Sequence, residues 1–425
     1  MRLASSSGVK SGKWSQLLAS LLPGIFLIGY NVGTGSITAM SKAGAMFGTD
    51  LLWAVLLSCV ITYYLMSLCS RFTIVTGMTL IEGIRRHIHP ALALFFLLVL
   101  SAIILSALIG VLGIVADVLE VWSATLLEDG ISRNWCALFT ATLVLGLAAT
   151  GDSRRFEKLL ALLVAVMALA FISTMVMEFP GWRIVLGGLV PSIPDSASGS
   201  DNSSPVVVAG VVGTTVSVFV LVIRTGLIKE KGWQLEDLAT ERRDARVSAS
   251  LMFIISAAVM ITAAATLHDK GIQLNRISEM IPMLEPVFGS FALNAFVMGV
   301  VAAGLSSHLP NLLVIPWIID DYRGVTRDTR SRPKQLLLLI LTIFSLLGVA
   351  FGGSPVFLML ISQASIAVVL PALLCALIYL TCSRRVMGDH RNGMRDFLIL
   401  AGILAFALYM SAQGVQGLIA DLGWL

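Results

Sequence analysis

Val32-Gly33-Thr34-Gly35-Ser36 and Val212-Gly213-Thr214-Thr215-Val216-Ser217 are short polar interruptions of two long apolar runs, one near the start of the chain and one near its middle. Inside a bilayer, freed backbone groups have no water to bond, so such interruptions are tolerated where they line a cavity or are buried in protein. Matching interruptions in two halves of a chain are typical of the binding site of a secondary transporter. We therefore expect two broken helices whose breaks meet at one site.

The composition is that of an integral membrane protein. The chain has 425 residues, of which 57% are hydrophobic and only 13% charged, whereas soluble domains carry about 25% charged residues. Residues 1–14 are polar and basic, and no small-residue cleavage site follows, so we expect the first apolar run to be retained as a span.

We expect a cell-membrane location, most naturally the bacterial inner membrane, with the lipid bilayer and a small ion or solute as partners. Neither a phosphate-binding loop nor a dinucleotide fingerprint follows a strand, so we expect no cofactor, no nucleic acid and no enzymatic activity.

Eleven runs are long and apolar enough to cross a bilayer. They lie at 15–45, 50–72, 90–122, 134–151, 157–178, 205–228, 246–267, 286–319, 335–352, 355–381 and 396–420.

The distribution of basic residues predicts the orientation. With the N-terminus inside, the inner segments hold 24 of the 29 Lys and Arg residues, and the outer segments hold Lys42, Arg133, Arg183, Lys270 and Arg276. An excess of basic residues marks the cytoplasmic side, so we expect a cytoplasmic N-terminus and an extracytoplasmic C-terminus. The Pro- and Ser-rich loop 179–204 then separates two inverted five-helix repeats, 15–178 and 205–381. Residues 1–14 form a cytoplasmic tail, and 382–425 a cytoplasmic loop with the eleventh helix.

A series of short motifs resembles the Nramp (natural resistance-associated macrophage protein) divalent metal transporter family, in a divergent bacterial branch. The motifs include Pro23-Gly24, Ser41-Lys42-Ala43-Gly44-Ala45-Met46-Phe47-Gly48, Gly213-Thr214-Thr215-Val216-Ser217, Leu284-Glu285-Pro286, Ala302-Ala303-Gly304-Leu305-Ser306-Ser307, and Ser362-Gln363 with Leu370-Pro371. The resemblance implies an all-α fold of the LeuT type, with ten core helices in two inverted repeats plus one extra helix. It also implies alternating access, often with proton coupling.

Two departures from the family pattern concern the binding site. The family's first break usually carries a metal-binding Asp, and Gly33 stands where that Asp is expected. The family's metal-binding Met in the sixth span aligns with Ser217, and Phe219 replaces the usual His or Tyr.

Without these ligands we expect a substrate site of neutral oxygens. The predicted substrate-binding residues are Asn31, Gly33, Thr34, Ser36, Thr214, Ser217 and, placed there by the resemblance, Gln363. Transition metals prefer nitrogen, sulfur or anionic oxygen, whereas Mg²⁺ keeps several waters and accepts oxygen ligands. The same residues, with positive helix ends, would also suit a small polar or anionic organic solute. No metal ligand is assigned, and close helix packing is the alternative role of the glycines.

Four ionisable residues in or near the spans suggest further roles. Asp117 and Glu120 share a helix face and match an acidic family motif associated with proton movement, although we identify no basic partner for Asp117 from the sequence. Arg224 lies two turns beyond Ser217, where we favour snorkelling to the cytoplasmic interface over a role in the inner vestibule. His308, before Leu309-Pro310, is either a gate or ligand or, as we favour, a packed and hydrogen-bonded side chain.

We therefore predict a secondary transporter, with proton-coupled uptake of a divalent cation such as Mg²⁺ as the first hypothesis and an organic solute as the alternative. Two other classes have weaker support. An intramembrane hydrolase would need Ser36 or Ser217 to meet His308 as a base, and a sensor would need a partner, because no soluble output domain fits between the spans.

Overall fold

The chain is described by a computed structural model that covers residues 33–150, 154–192 and 204–421, apart from residues 269, 273, 329 and 352. The part described is helical. Its principal helices are α1 (Thr34–Phe47), α2 (Leu52–Thr76), α3 (Leu80–His87), α4 (Pro90–Ser123), α5 (Arg133–Thr150), α6 (Arg154–Met177), α7 (Trp182–Gly187), α8 (Ser204–Thr215), α9 (Val218–Lys231), α10 (Leu238–Ala263), α11 (Ala292–Arg323), α12 (Arg332–Phe351), α13 (Pro355–Cys382) and α14 (Met394–Asp421).

The helices follow the predicted spans closely. Eight helical segments in the described residues are long and apolar enough to cross a membrane, and the shorter apolar helices Arg133–Ala149 and Ala161–Met177 lie at the fourth and fifth predicted spans. Of the first predicted span, 15–45, only the part from Gly33 onward is described, where α1 begins at Thr34. The all-helical membrane fold is confirmed, while the count of eleven spans stays a prediction.

The second polar interruption separates α8 from α9. The helix continues through Gly213 to Thr215, and the chain leaves helical geometry at Val216 and Ser217, where Ser217 has φ −73° and ψ 123°. The break therefore lies three residues after the glycine that suggested it. The hydroxyl of Thr62 on α2 donates to the carbonyl oxygen of Thr215 at 2.9 Å, so a neighbouring helix satisfies a backbone group that the break frees.

The first interruption lies where α1 begins. Gly33 is extended, with φ −89° and ψ −168°, and it precedes the first helical residue, Thr34. Asn31 and Val32 lie outside the described residues. Within the described residues, the first interruption therefore coincides with the start of α1.

The two interrupted helices lie at the centre of the packing. α1 contacts α8, α10 and α13, while α8 contacts α13, α14 and α2. α4 and α11 pack against each other, and α4 also contacts α5, α12 and α13. The interrupted helices are thus surrounded by continuous ones, which position the breaks.

A buried charge cluster joins α9 to α10 and α2. The guanidinium of Arg224 lies 2.8 Å from the carboxylate of Asp244 and 2.9 Å from that of Glu241, and its Nε donates to Ser70 Oγ at 2.8 Å. The arginine and both carboxylates are at most 1% exposed. Arg224 therefore does not extend to a membrane interface, and the snorkelling interpretation is wrong, because two acids one turn apart on α10 neutralise it inside the protein.

Lys42 is a second buried cation. It lies within α1, is 1% exposed, and donates to the carbonyl oxygen of Leu274 at 2.7 Å and to Asn275 Oδ1 at 2.9 Å. Both partners lie between the seventh and eighth predicted spans, in a segment that the basic residues predict to be outside, so Lys42 lies at the predicted outer end of α1. Its hydrogen bonds hold the 274–275 segment against α1.

Replacing Arg224 by Gln is expected to destabilise the protein by about 3–5 kcal/mol, because it leaves two buried carboxylates without their cation. The measurement is denaturant unfolding of the purified protein in detergent. Arg384→Gln, at an exposed position near the end of α13, is the matched control and should leave stability within about 0.5 kcal/mol of the wild type. Equal stability of the two variants would show that the cluster does not hold α9 in place.

Candidate functional site

A small cavity lies where the two interrupted helices meet α4, α11 and α13. Its volume is about 40 Å³. A water molecule needs roughly 10–15 Å³ of cavity volume. The cavity therefore has room for an ion with a few waters. Its lining residues are Gly35, Ser36, Ala107, Thr214, Ser217, Phe219, Ser307, Asn311, Met359, Ser362, Gln363 and Ile366.

Gln363 on α13 contacts both interrupted helices. A Cβ on Gly35 would lie 2.6 Å from Gln363 Nε2, and a Cβ on Gly213 would overlap the carbonyl oxygen of Gln363. Real Cβ atoms do not approach so closely, so Gly213 must be glycine for α8 to reach the backbone of α13, whereas at Gly35 the ends of two flexible side chains, Met359 and Gln363, would have to move. The packing role considered for these glycines therefore applies to Gly213, and both glycines lie beside Gln363.

The structure brings most of the predicted substrate residues together. Ser36, Thr214, Ser217 and Gln363 line the cavity. Gly33 and Thr34 are buried but do not line it. Thr34 instead faces α11, where its methyl group lies 3.6 Å from the position of a Cβ on Gly304. Asn31 lies outside the described residues.

Several lining residues were not predicted from the sequence. Ser307 and Asn311 lie one turn apart on α11, and Ser362 precedes Gln363 on α13. A polar pair at i, i+4 in an apolar span shares a helix face, so the spacing of Ser307 and Asn311 was a usable signal. These two residues flank His308, which is the more conspicuous residue of the segment.

Met359 also lines the cavity, and its Cε lies 2.5 Å from the position of a Cβ on Gly35. The expectation of a site containing only neutral oxygens is therefore wrong. A thioether is present, although it comes from α13 and not from the position after the second break. Thioethers favour softer metal ions, so the lining combines hydroxyl and amide oxygens with one soft donor.

None of the described residues that line the cavity carries a carboxylate. Within the described ranges, no cluster of three or more His, Cys, Asp or Glu residues has the geometry to hold a metal ion. A cation in this cavity would therefore keep its full charge and bind through neutral dipoles. Such a site favours an ion that retains part of its hydration over one that is stripped and held by anions.

The acidic pair of α4 lies apart from the cavity. Asp117 Oδ1 is 2.8 Å from Arg133 Nε, and Glu120 Oε1 accepts a hydrogen bond of 3.0 Å from the backbone N–H of Arg133. Arg133, at the start of α5, is therefore the basic partner that could not be named from the sequence. Asp117 lies ten residues beyond the cavity-lining Ala107, which is about 15 Å along the helix.

His308 is buried, but it does not line the cavity and neither ring nitrogen has a hydrogen-bond partner in the described part of the chain. The packed position agrees with the favoured interpretation, whereas the expected hydrogen bond is absent there. No hydroxyl of the cavity pairs with this imidazole in the described structure. The nucleophile and base that the hydrolase hypothesis requires are therefore not assembled.

Comparison with known proteins identifies relatives over nearly the whole chain. The family model described as natural resistance-associated macrophage protein-like (Nramp) matches residues 24–416. Two similar curated proteins are named divalent metal cation transporter MntH. The one from Nostoc sp. is 27% identical, with 94% of this chain and 93% of that protein covered. The one from Verminephrobacter eiseniae is 26% identical, with 94% and 89% covered.

Solved structures show the same fold at lower sequence identity. The manganese transporter of Eremococcus coleocola superposes with a TM-score of 0.78 at 18% identity, covering 98% of this chain and 89% of the other. Mhp1, a nucleobase-cation-symport-1 family transporter, superposes with a TM-score of 0.64 at 14% identity, covering 95% and 92%. The helical arrangement is that of the LeuT-type transporters, as the motifs implied. With its family model matched over almost its entire length, the chain belongs to the Nramp family.

Proposed function

We propose that this protein is a secondary transporter that moves a divalent metal cation across the cell membrane by alternating access. The observation that carries the proposal is the polar cavity at the junction of the two interrupted helices, lined by Ser36, Ser217 and Gln363. The relatives named as divalent metal cation transporters support the substrate class.

The lining favours a hard, partly hydrated cation such as Mg²⁺. Five hydroxyls and two amides outnumber one thioether, no carboxylate lies among the described lining residues, and the volume of about 40 Å³ leaves room for waters. Mg²⁺ loses its waters reluctantly and accepts oxygen ligands. Mn²⁺ and Fe²⁺ gain more from anionic oxygen, nitrogen or sulfur ligands.

The organic or anionic solute is not favoured. The missing Asp and Met suggested it, and Arg224 gave it additional support, but that guanidinium is enclosed by Glu241 and Asp244 and does not line the cavity. The cavity is also far smaller than the roughly 300–1,000 Å³ typical of sites for small organic ligands.

We further infer that Asp117 and Glu120 link transport to a proton gradient. Acidic groups in membrane spans are costly and suggest ion or proton traffic. Both acids are held by Arg133 on α5, so protonation of Asp117 would release an ion pair between two helices. Binding of a proton would therefore change how α4 packs against α5, at a distance from the proposed metal cavity.

Uptake into proteoliposomes tests the proposed function, with Mg²⁺, Mn²⁺, Fe²⁺, Zn²⁺ and Ca²⁺ offered under opposite proton gradients. We expect Gln363→Leu to reduce uptake of the transported ion by about 10–100-fold, the range seen when a group that orients a metal ligand is lost. Gln416→Leu, at an exposed position on α14, is the control and should transport normally. No flux of any of the five ions through the folded wild type would refute the proposal.

Met359→Leu tests the soft donor. If the thioether contacts the ion, this variant should lose uptake of Mn²⁺ and Cd²⁺ while retaining that of Mg²⁺, because sulfur contributes to binding of the softer ions only. Competition of each ion against radioactive Mn²⁺ measures the shift. An equal loss for all ions would mean that Met359 shapes the cavity without acting as a ligand.

Asp117→Asn tests the proton link. An inward proton gradient should stimulate uptake by the wild type, and the variant should lose this stimulation while still moving metal down its own gradient, since the amide cannot release a proton. Asp129→Asn, at an exposed position in the loop before α5, should behave as the wild type. Full stimulation of the Asp117→Asn protein would exclude the proposed role.

A further inference from the structure

A second concave region lies on the outside of the helix bundle, between α2 and α10. This region is lined by residues that recur every three or four positions along each helix. They run from Leu56 to Arg71 on α2 and from Leu238 to Ile254 on α10. It has an apolar part of about 420 Å³ and a polar part of about 240 Å³, and Tyr63 lines both. We call the two parts together the α2–α10 groove.

The two parts of the groove differ in chemistry along the helix axes. The apolar part is lined by side chains such as Leu56, Val60, Phe253 and Ile254, of which Val60 is 57% and Ile254 46% exposed. Exposed apolar side chains in a membrane span face lipid chains. The polar part follows towards the ends of α2 and α10 that the basic residues predict to be cytoplasmic.

The groove carries two positive charges without ion-pair partners among the described residues. Its two carboxylates are already paired, Glu241 with Arg224 and Asp396 with Arg71. Arg242 and Arg246, one turn apart on α10, are exposed and line the groove at the junction of its polar and apolar parts. The excess charge at this junction is therefore that of two arginines.

Three polar atoms of groove residues are buried without a hydrogen-bond partner in the described structure. They are Ser67 Oγ, Arg71 Nε and Glu241 Oε2. Because Glu241 is 1% exposed, an unpaired oxygen there is costly. The described helices therefore leave polar atoms unpaired beneath the polar part of the groove.

The length of the groove matches one leaflet. From Leu56 to Arg71, α2 advances about 22 Å at 1.5 Å per residue. A bilayer is about 40–45 Å thick with its headgroups, so one leaflet measures about 20–22 Å. Along the groove the lining changes from apolar to polar. A lipid changes in the same order from its acyl chain to its headgroup.

We propose that the α2–α10 groove binds one acidic phospholipid of the leaflet at this end, with its acyl chain along the apolar part and its phosphate between Arg242 and Arg246. Basic pockets between membrane helices on the cytoplasmic side suit anionic headgroups. Since Glu241 lines the polar part and also holds Arg224 on α9, the lipid lies beside the charge cluster that anchors the helix after the second break. This site is independent of which substrate occupies the central cavity.

Native mass spectrometry of the full-length protein in detergent tests the proposal by measuring binding of phosphatidylglycerol and phosphatidylcholine with identical chains. We expect one phosphatidylglycerol to bind in preference to phosphatidylcholine. The double variant Arg242→Gln/Arg246→Gln should weaken phosphatidylglycerol binding by about 30-fold, because each arginine contributes about a fivefold factor. Arg384→Gln/Arg385→Gln removes the same charge at exposed positions outside the groove and should bind as the wild type.

Val60→Trp fills the apolar part without touching either arginine, and should reduce binding of phosphatidylglycerol while the protein stays folded. Equal binding of the two lipids, or an equal loss in the two arginine double variants, would overturn the proposal, since either result indicates non-specific attraction. A wild type that binds neither lipid would also overturn it. Free glycerol phosphate that binds as tightly as the lipid would exclude the acyl-chain contact.

Discussion

The close approach of α13 to both interrupted helices is the constraint on which the site depends. Gln363 contacts Gly35 on α1 with its amide and Gly213 on α8 with its backbone carbonyl. Any side chain at Gly213 would meet the backbone of α13 and push α8 away from it, whereas a side chain at Gly35 would displace the ends of the Met359 and Gln363 side chains. The glycines that first marked the interruptions therefore act through packing, while the break in the second segment occurs at Val216 and Ser217.

Several buried polar groups in this protein have specific partners in other helices. Thr62 satisfies the freed carbonyl of Thr215, two carboxylates enclose Arg224, and backbone and amide oxygens accept from Lys42. Each arrangement joins helices that are distant in sequence. At membrane depth an unpaired group costs several kcal/mol, so these contacts define which helix faces can pack together.

The site of this Nramp protein differs from the pattern to which its motifs are similar. The family resemblance implies an Asp and a Met at the two breaks where this chain has Gly33 and Ser217, while side chains of Met359, Asn311 and Gln363 line the cavity from two continuous helices. The acidic pair is present, and its cation comes from Arg133 on α5. The acidic pair lies about 15 Å along α4 from the cavity of neutral donors, so the proposed metal site and the proposed proton site can each be tested alone.

The amino-acid sequence by itself determined the helical membrane class, the two interruptions, and three cavity residues, Ser36, Thr214 and Ser217, while Gln363 came from the family resemblance. It did so because hydropathy over 20 residues and the cost of unpaired backbone are local properties. Only the tertiary structure decided the roles of Asn311, Met359, Arg133 and Arg224. Each depends on a partner in another helix, as Arg133 depends on Asp117 and Arg224 on Glu241. The periodicity of one helix gives the face on which a residue lies, but not the helix that packs against that face, so charge pairing and cavity lining required the assembled bundle.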